Sequence, residues 1–438
     1  MQIDIPAAAA RAIGILEQHG FAAYLVGGCV RDACRGAQPY DWDIATSALP
    51  AEILEVFADF RTIPTGLRHG TVTVRMDGEP LEITTFRSDG VYTDHRRPDG
   101  VTFVDDLQAD LVRRDFTVNA MAYNPRVGLV DLFGGCDDLE KGILRAVGDP
   151  DRRFDEDALR ILRALRFAAR FGFAIEARTG AAMRRKAHLL ACVSRERVFE
   201  ELKKLLMGAY AGKVLLDYAD IVQAVLPEIG PTIGFDQHSR HHLYDVWAHT
   251  AHAVAAAPFD LPVRLALLLH DLGKPQCFTR DDGGEGHFYG HAKVSAAMAD
   301  AVLLRLRCDN DTRTCVTRLV ANHGNCYPME EKTARRLLSK FGPEDARRLL
   351  WVMQADKAAC APTSEAEQGE IGILLDLLDR VEAEAPCLTL RDLAVRGGDL
   401  MALGYAGPAI GEALNRLLEA VLDGRCENEK AALLALLQ

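Results

Sequence analysis

The sequence predicts an α+β fold in which a small mixed-sheet head precedes a long, all-helical remainder. After a first helix expected over residues 6–18, short β-type runs alternate with turn residues through about the first 140 positions. From Asp155 onward, leucine and alanine recur at i, i+3 and i+4 spacing as far as the C-terminus. A chain of 438 residues with 49% hydrophobic residues is long enough for roughly two to four domains.

Two strand signals define the predicted head. Residues 22–26 form a short apolar run that ends at the glycine turn Gly27-Gly28. Residues 71–75 and 81–85 flank Asp77-Gly78, a dipeptide typical of a tight hairpin turn. The head is therefore expected to contain a hairpin and a strand that leads directly into a glycine-rich turn.

Composition argues against a membrane or disulfide-rich protein. The best apolar stretch, residues 261–269, is shorter than a membrane span and contains Arg264. The 11 cysteines are odd in number and form no CxxC pair. Asp4 and Arg11 place charges in the Ala-rich N-terminal stretch, where a signal peptide would be apolar. We therefore expect a cytoplasmic protein without a membrane partner.

Charge is distributed unevenly along the chain. The net charge of −12 argues against a nucleic-acid partner, but a binding face needs only a local excess of positive charge. Residues 160–204 contain twelve Arg and Lys against four Glu, an excess of eight positive charges. A balanced segment would be read as a solvated helical face, whereas this imbalance favours a polyanionic partner.

The pair Asp41 and Asp43 follows the glycine turn by about ten residues. If Asp41-Trp42-Asp43 is extended, side chains at i and i+2 leave the same face of the strand and the two carboxylates converge. Mg²⁺ binds through one or two carboxylates plus the phosphate oxygens of a substrate, and glycine lets backbone N–H groups approach phosphates. Together these features predict a nucleotidyl-transfer centre, although an isolated Asp-x-Asp also occurs at solvated turns.

A second block, Arg113-Arg114-Asp115-Phe116-Thr117-Val118-Asn119, combines two forked cations with two turn-forming polar residues. Guanidinium groups suit phosphate oxygens. Asp115 and Asn119 can fix a turn or contact a ribose. A helix start capped by Asp115 is the structural alternative.

A third block places Asp157, Arg160, Arg163 and Arg166 three residues apart on a predicted helix, so that one acid and three arginines share nearly the same side. An Asp accepts a hydrogen bond from an exocyclic amine and an Arg donates to a ring nitrogen or carbonyl. Such a pair would select cytosine and adenine and reject guanine and uracil, which present a carbonyl. A charged helix with i,i+3 ion pairs is the alternative.

The order of these blocks resembles that of class II CCA-adding enzymes, tRNA nucleotidyltransferases of the polymerase-β-like superfamily. The resemblance covers roughly residues 20–207 and rests on GGCVRD with DWD, RHGTVTV, LEITTFR, RRDFTVNA, DLFGG, EDALRILRALRF and SRER. It implies a nucleotidyltransferase head that adds C, C and A from CTP and ATP to the 3′ end of tRNA. The implied step is attack of the tRNA 3′-hydroxyl on the α-phosphorus, with release of pyrophosphate.

The resemblance also implies roles for individual residues. Gly28 and Arg31 would contact the nucleotide phosphates, and Arg114 the triphosphate or ribose. Asp157 and Arg160 would read the incoming base, and Arg163 and Arg166 would complete the nucleotide site. Asp41 and Asp43 would act as the catalytic Mg²⁺ ligands; Glu82, on the next predicted strand, is a candidate third carboxylate or simply an exposed strand residue.

Close relatives leave the product open. Bacterial poly(A) polymerases share this head, and some bacteria divide the work between a CC-adding and an A-adding enzyme. Residues 87–98 resemble a loop that full CCA-adding and A-adding enzymes carry and CC-adding enzymes lack. Residues 64–75 resemble the CCA type and not the poly(A) polymerase type. We therefore expect full CCA addition, with an A-adding enzyme or poly(A) polymerase as the alternative.

The helical half contains a second set of metal-ligating residue types. The pair His270-Asp271 directly follows the apolar run at residues 261–269. This arrangement, together with histidines and an aspartate elsewhere in the helical half, resembles an HD phosphohydrolase domain. The resemblance implies a second divalent metal held by His249, His270, Asp271, His291, His323 and Asp356. Imidazole and carboxylate together suit metals that activate water. The alternative is an HD-like fold that serves only as a body for tRNA binding.

These patterns predict four segments: a head over residues 1–140, a helical neck for nucleotide and RNA binding over 141–230, an HD-like domain over 231–360, and a helical tail over 361–438. Clusters of turn residues near 227–231, 281–284 and 361–364 are candidate boundaries, and the first and last of these coincide with the breaks at 230 and 360. The oligomeric state has no sequence signal.

Overall fold

The computed structural model describes residues 3–67, 70–89, 101–239, 243–360, 365–384 and 387–437. These residues form two compact units that divide between Pro227 and Glu228. The first unit combines a sheet with helices and the second is mainly helical, which confirms the predicted α+β class. Most of residues 87–98, the predicted loop, lies outside the described residues.

The first unit contains the mixed sheet. Its strands are β1 (Ala23–Val26), β2 (Asp43–Thr46), β3 (Arg61–Gly66), β4 (Thr71–Met76), β5 (Glu79–Thr85), β6 (Arg87–Asp89), β7 (Val101–Phe103), β8 (Met121–Asn124), β9 (Gly128–Asp131), β10 (Ile143–Leu144) and β11 (Ala174–Ile175). Its helices are α1 (Ala7–Gln18), α2 (Gly28–Cys34), α3 (Pro50–Val56), α4 (Leu107–Val112), α5 (Gly135–Lys141), α6 (Pro150–Glu156), α7 (Leu159–Phe171), α8 (Ala177–Lys186), α9 (Arg195–Leu206), α10 (Ala211–Asp217) and α11 (Ala219–Val225).

The described strands form a seven-stranded sheet in the order β3-β4-β5-β2-β1-β8-β9. Only the β2–β5 pairing within it is parallel. The predicted hairpin is confirmed as β4 and β5, and its turn residues Asp77 and Gly78 have φ values of 54° and 90°. Positive φ at both central positions is what a two-residue hairpin turn requires, which explains the Asp-Gly pair.

Both faces of the central strands are covered. Leu25 and Ile44 belong to a core cluster that includes Ile13 of α1 and Ile53 of α3. The next residues along the same strands, Val26 and Ala45, join a separate buried cluster. Alternation of side chains along a strand therefore places neighbouring residues in two cores, and helices cover the first of these faces.

The sheet topology positions the predicted site. Strands β1 and β2 are antiparallel, with Leu25 opposite Ile44, so the end of β1 lies beside the start of β2. The glycine turn follows β1 at once, and Asp43 is the first residue of β2. Gly28 and Asp43, fifteen positions apart in the chain, therefore lie close together at the same end of two neighbouring central strands.

The second unit is built from helices and one small hairpin. The helices are α12 (Val246–Ala256), α13 (Leu261–Leu269), α14 (Lys274–Cys277), α15 (His291–Arg305), α16 (Asn310–Asn322), α17 (Glu331–Phe341), α18 (Pro343–Ala358), α19 (Glu365–Ala383), α20 (Gly397–Ala402), α21 (Pro408–Leu422) and α22 (Lys430–Ala435), and the hairpin is β12 (Thr279–Arg280) with β13 (Gly286–His287). The turn cluster at residues 281–284 closes this hairpin, so the prediction of a purely helical second half is wrong at this point.

Helix α13 is the apolar run that the sequence singled out. It packs against α12, α15, α16 and α18, and its side chains from Val263 to Leu269 are buried. Arg264 is buried as well, and its guanidinium donates to the carbonyl oxygens of Ala257 and Pro258. Among the described helices, none combines the length and apolar character that crossing a bilayer requires.

Candidate functional sites

A cavity of about 910 Å³ in the first unit brings together the residues that three separate blocks of sequence had nominated. The nominated residues that line it are Gly28, Arg31, Asp41, Asp43, Arg114, Asp157, Arg160, Arg163 and Arg166. The wall also contains residues that sequence reasoning did not single out as site residues, among them Arg87, Arg170, Arg197 and Lys204. Cations outnumber acids along this wall, as a polyanionic ligand requires.

The glycine turn leaves room for an arginine. Gly27 has φ 77° and ψ −128°, a conformation that side chains rarely adopt, and helix α2 begins at the next residue, Gly28. A Cβ atom built on Gly27 would lie 2.8 Å from Nη1 of Arg114. The absence of a side chain at Gly27 therefore lets the backbone turn and Arg114 occupy adjacent space.

The two predicted metal ligands lie at the start of β2. Asp43 is the first residue of the strand, whereas Asp41 is exposed and precedes it, so β2 includes only the second of the two acids. Burial and the carboxylates of Asp41 and Glu82 raise the pKa of Asp43 to about 6, against the opposing effect of Arg114. Glu82 is the register partner of Asp43 on β5. Crowded carboxylates of this kind fit a hard cation, which would relieve their repulsion.

Arg114 is held in place by a buried acid that the sequence analysis missed. Oδ1 of Asp110 accepts a hydrogen bond from Nη2 of Arg113 at 2.7 Å, and its Oδ2 accepts one from Nη2 of Arg114 at 3.0 Å. These charges hold the pKa of Asp110 below its usual range, although burial alone would raise it. The signal that could have revealed Asp110 is its i−3 and i−4 spacing from the two arginines.

Asp115 connects the head to the arginine-bearing helix. Its carboxylate accepts hydrogen bonds from Nε and Nη2 of Arg163 at 2.8 and 2.5 Å, and from Nδ2 of Asn119 at 3.0 Å. Asn119 in turn accepts from Nη1 of Arg31 at 2.5 Å. Burial would raise the pKa of Asp115, but Arg163 and Asn119 lower it to about 2. Asp115 does not cap a helix through its side chain in the described structure, so that alternative is wrong.

The predicted helical stripe is interrupted at its first residue. Helix α6 ends at Glu156 and α7 begins at Leu159, so Asp157 lies between them in an extended conformation with φ −139° and ψ 103°. Its Oδ1 accepts from the Leu159 backbone N–H at 3.1 Å. An aspartate that bonds the backbone two residues ahead competes with helix continuation, which explains why the helical periodicity misled the prediction here.

The three arginines of the stripe lie on α7 as predicted, but they differ in their surroundings. Arg160 is buried, and its guanidinium donates to Glu156 at 2.9 Å and to the Arg113 carbonyl oxygen at 2.7 Å. Arg166 lies 3.2 Å from Oε2 of the buried Glu201 on α9. Asp157 pairs with Arg197 of α9 at 2.9 Å. The alternative of a solvated helix with Asp157–Arg160 pairing therefore does not describe this segment.

The second unit contains a separate cavity of about 450 Å³, and its wall includes Asp271, His291, His323 and Asp356. Oδ2 of Asp271 lies 3.1 Å from Nε2 of His270 and 3.7 Å from Nε2 of His249. Its Oδ1 lies 3.5 Å from Nε2 of His291 and 3.9 Å from Nε2 of His323. All six nominated residues thus gather around the carboxylates of Asp271 and Asp356.

These six residues form overlapping sets of donor atoms. His249, His270 and Asp271 make one set whose donor atoms all lie within 4.8 Å of one another, and Asp271, His291 and His323 make another. Cys360, which the sequence analysis did not nominate, completes a third set with His249 and Asp356. Asp271 is common to the first two sets and directs a different oxygen toward each.

Three atoms of the cluster have hydrogen-bonding capacity that is not used. Nε2 of His270 and both oxygens of Asp271 are buried without a hydrogen bond of good geometry. Burial would lower the pKa of His270, but Asp271 and Asp356 raise it to about 10. Burial would raise the pKa of Asp271, but His270 and Lys274 hold it well below its usual range. Buried donors that lack partners are what a bound cation would satisfy, so the residues present fit a divalent metal.

Both halves of the chain resemble known proteins of one kind. Three family models match: a Poly A polymerase head domain over residues 23–145, a probable RNA and SrmB-binding site of polymerase A over 172–232, and a putative tRNA nucleotidyltransferase domain 2 over 291–437. The CCA-adding enzyme of Geobacillus kaustophilus is 36% identical over 437 residues, covering 97% of this chain and 95% of the relative. That of Streptococcus mutans is 34% identical, covering 98% and 97%.

Solved structures show the same fold. The crystal structure of the Bacillus stearothermophilus CCA-adding enzyme in complex with CTP matches with a TM-score of 0.74 and 32% identity, covering 98% of this chain and 96% of the other. The Thermotoga maritima CCA-adding enzyme complexed with tRNA_CCA matches with a TM-score of 0.61 and 21% identity over the whole length of both chains. At that identity the second likeness concerns the fold alone.

Proposed function

The chain belongs to the CCA-adding enzyme family, and on this premise we propose that it adds C, C and A, from CTP and ATP, to the 3′ end of tRNA. The 3′-hydroxyl of the tRNA attacks the α-phosphorus of the nucleotide, and pyrophosphate leaves. One observation carries the proposal for the site: nine residues nominated from three separate motifs line a single cavity. The relative solved in complex with CTP supports the nucleotide assignment, and the full-length likeness to CCA-adding enzymes supports tRNA as the acceptor.

Asp41 and Asp43 are the proposed ligands of Mg²⁺. The like charges that raise the pKa of Asp43 provide the electrostatic reason for a cation at this point. When bound, Mg²⁺ supplies charge neutralisation at the phosphates and lowers the cost of ionising the attacking hydroxyl. The remaining work of the protein is to position and neutralise, because phosphoryl transfer needs little covalent help from side chains.

The arginines hold the triphosphate in this proposal. Arg114 is fixed by Asp110, and Arg31 by Asn119 and by Asp32, whose carboxylate lies 2.8 Å from the Arg31 guanidinium. Gly28, without a side chain, leaves the backbone accessible to phosphate oxygens. Preorganised cations of this kind stabilise developing charge without reorganising during the reaction.

Asp157, Arg160, Arg163 and Arg166 form the proposed base and nucleotide site. An ionised Asp157 accepts hydrogen bonds and donates none, so it favours the amines of cytosine and adenine over the carbonyls of uracil and guanine. Arg160 and Arg163 are anchored by acids, which fixes their guanidinium planes around the same space. The protein itself would thereby select the nucleotide without a nucleic-acid template.

Sequencing the 3′ ends made from a tRNA transcript that stops at the discriminator base tests the proposed product. We expect the sequence CCA with CTP and ATP present. A long adenylate tail would instead identify a poly(A) polymerase, and adenosine added only to transcripts that already end in CC would identify an A-adding enzyme.

A variant separates catalysis from passive RNA binding. Asp41→Ala is expected to abolish nucleotide incorporation and to leave tRNA binding largely intact, as measured by gel shift. Retained incorporation would favour the alternative, in which the head is a passive RNA-binding module.

We propose a second, metal-dependent hydrolase activity in the HD-like cluster. The carrying observation is the convergence of potential ligand atoms on Asp271, where Nε2 of His270 and both Asp271 oxygens are buried without a hydrogen bond of good geometry. His249, His270, Asp271, His291, His323 and Asp356 would hold one or two divalent ions, and a bound metal would supply an activated water to a phosphate ester. Lys274, with Nζ 2.8 Å from Asp271, and Lys357 line the same cavity and suit an anionic substrate.

Metal analysis of the purified protein tests this second proposal, with His270→Ala as the control. We expect bound metal in the parent protein and its loss in the variant. Absence of metal from both would leave the HD-like fold as a body for tRNA binding. The four-segment division at residues 140, 230 and 360 and a cytoplasmic location complete the proposal.

A further inference from the structure

We propose that Arg197 is a positioning residue that fixes the carboxylate of Asp157 and thereby sets the selection of cytosine and adenine over uracil and guanine. This inference rests on the base-reading role proposed above for Asp157. It assigns a function to α9, a helix that begins within the SRER block and for which the sequence analysis named no site residue.

The first observation is the position of Asp157 between two helices. It lies between α6 and α7 in an extended conformation, and its backbone N–H closes the last turn of α6 on the Arg153 carbonyl oxygen. Its Oδ1 is held by the Leu159 backbone N–H at 3.1 Å, and its Oδ2 by Nη2 of Arg197 at 2.9 Å. Among the described residues, removal of the arginine would leave only the hydrogen bond at Oδ1, so the carboxylate would be less restricted in rotation about its Cβ–Cγ bond.

The second observation is the firm attachment of Arg197 itself. Helix α9 packs on α7, and Val198, Phe199 and Leu202 are buried. One turn beyond Arg197, the buried Glu201 pairs with Arg166 of α7 at 3.2 Å. Two ion pairs on successive turns therefore fix α9 against the segment that carries Asp157 and the arginine stripe.

The third observation is that Arg197 is oriented through its contact with Asp157. Its Nη1 is buried and has no hydrogen-bond partner among the described residues, whereas Nη2 donates to Asp157. Both Arg197 and Asp157 line the nucleotide cavity. The guanidinium thus binds Oδ2 of Asp157, and the carboxylate keeps further lone pairs that can accept hydrogen bonds from a base in this cavity.

The consequence is a specific loss of discrimination. A fixed carboxylate accepts from an exocyclic amine and repels a carbonyl oxygen, because two acceptors then face each other. A rotating carboxylate can turn away from the carbonyl, so uridine and guanosine nucleotides gain access while cytidine and adenosine nucleotides lose a contact. We expect the ratio of kcat/KM for CTP to that for UTP to fall roughly 10- to 100-fold in Arg197→Ala, the range that one good base contact provides.

The experiment measures kcat and KM separately for CTP, ATP, UTP and GTP on tRNA transcripts, using the full chain. Arg197→Lys keeps the charge and is expected to recover part of the selectivity. Arg197→Gln keeps a donor and provides a second variant should the alanine variant fold poorly. Lys203→Ala, on the same helix and paired with Glu200, removes the same charge away from Asp157 and is expected to leave selectivity unchanged.

The outcomes are distinguishable. An equal loss for all four nucleotides in Arg197→Ala, or unchanged selectivity, would overturn the inference, because a residue that only stabilises α9 affects every substrate alike. Asp157→Ala distinguishes a failure of the role proposed for Arg197 from a failure of the base-reading role proposed for Asp157. If it changes selectivity while the Arg197 variants do not, only the role of Arg197 fails. If it too leaves selectivity unchanged, the base-reading proposal itself fails.

Discussion

The two cavities hold their acidic side chains in opposite ways. In the first unit, Asp41 is exposed and Asp43 begins a strand, and arginines line the wall around them. In the second, Asp271 is almost fully buried among histidines. Within the described part of the chain, sets of three donor atoms within 4.8 Å of one another occur only in the second unit.

This difference indicates two ways of handling a cation. Mg²⁺ commonly binds through one or two carboxylates and completes its shell with water and substrate phosphates, so an incomplete protein site is appropriate in the first cavity. Histidine and carboxylate donors that already converge suit a resident transition metal. We therefore expect the first cavity to acquire its metal together with the nucleotide and the second to retain one without substrate.

Asp43→Asn should have the largest effect and tests the first half of this comparison. Replacing a ligand carboxylate by an amide should lower nucleotide incorporation by about 1,000-fold or more, a loss typical of removing an essential metal ligand. Metal retained after dialysis should not change, because it belongs to the second unit. The matched control is Asp59→Asn, which alters an exposed acid in the same unit. Incorporation within tenfold of the parent would contradict the assignment.

His270→Ala tests the second half. We expect retained metal to fall from near one equivalent per chain or above to a small fraction, because His270 and Asp271 face each other in the buried cluster. Incorporation of CTP and ATP should stay within about twofold, since the residue belongs to the other unit. His252→Ala is the control. His252 lies on the same helix as His249, α12, but it stacks on Tyr244 and is not one of the proposed metal ligands. Parallel loss of metal and incorporation would show that the two cavities are not independent.

Asp115→Asn would show how much the first cavity depends on its internal ion pairs. Neutralising a buried acid that holds Arg163 should lower the free energy of unfolding by about 3 kcal/mol, since an unpaired cation remains. Denaturant unfolding of the full chain measures the change. Asp137→Asn, at an exposed site, should have little effect. A loss below about 0.5 kcal/mol would mean that solvent replaces the pair.

The same residue predicts a pH dependence. The folded-state pKa of Asp115 is about 2, below its ordinary value of 3.8, so its ionised form stabilises the folded state. That contribution is complete above about pH 4 and is lost as the pH falls toward 2. The parent protein should therefore lose more stability across this window than Asp115→Asn does. Parallel pH profiles for the two proteins would contradict the assignment.

Glu82→Gln should have the smallest effect. Glu82 is exposed, pairs in register with Asp43 and raises its pKa, but it was nominated only by its strand position. We expect a fall in incorporation of less than about tenfold, mainly through altered charge near Asp43. A loss as large as that of Asp43→Asn would instead identify Glu82 as a third metal ligand.

Local patterns in the sequence predicted much of this structure. The hairpin was correct because Asp77-Gly78 has a specific backbone requirement. The position of Asp157 was wrong because its side chain bonds the backbone ahead and interrupts the helix, a competition that periodicity does not reveal. Arg197 was missed as an anchor because its partner Asp157 lies far away in the sequence and only folding brings the two together. Asp110 was missed although its spacing from Arg113 and Arg114 was a usable local signal.

The close approach of Gly27 and Arg114 limits which sequences this head can tolerate. The Cβ of even an alanine would occupy space within 2.8 Å of the guanidinium, and the backbone conformation itself disfavours any side chain. Accordingly, in a library that randomises codon 27 and is selected for growth dependent on this protein, surviving clones should encode glycine almost uniformly. A compensating change at Arg114 cannot relax that requirement, because the strain of the main chain would persist without the arginine.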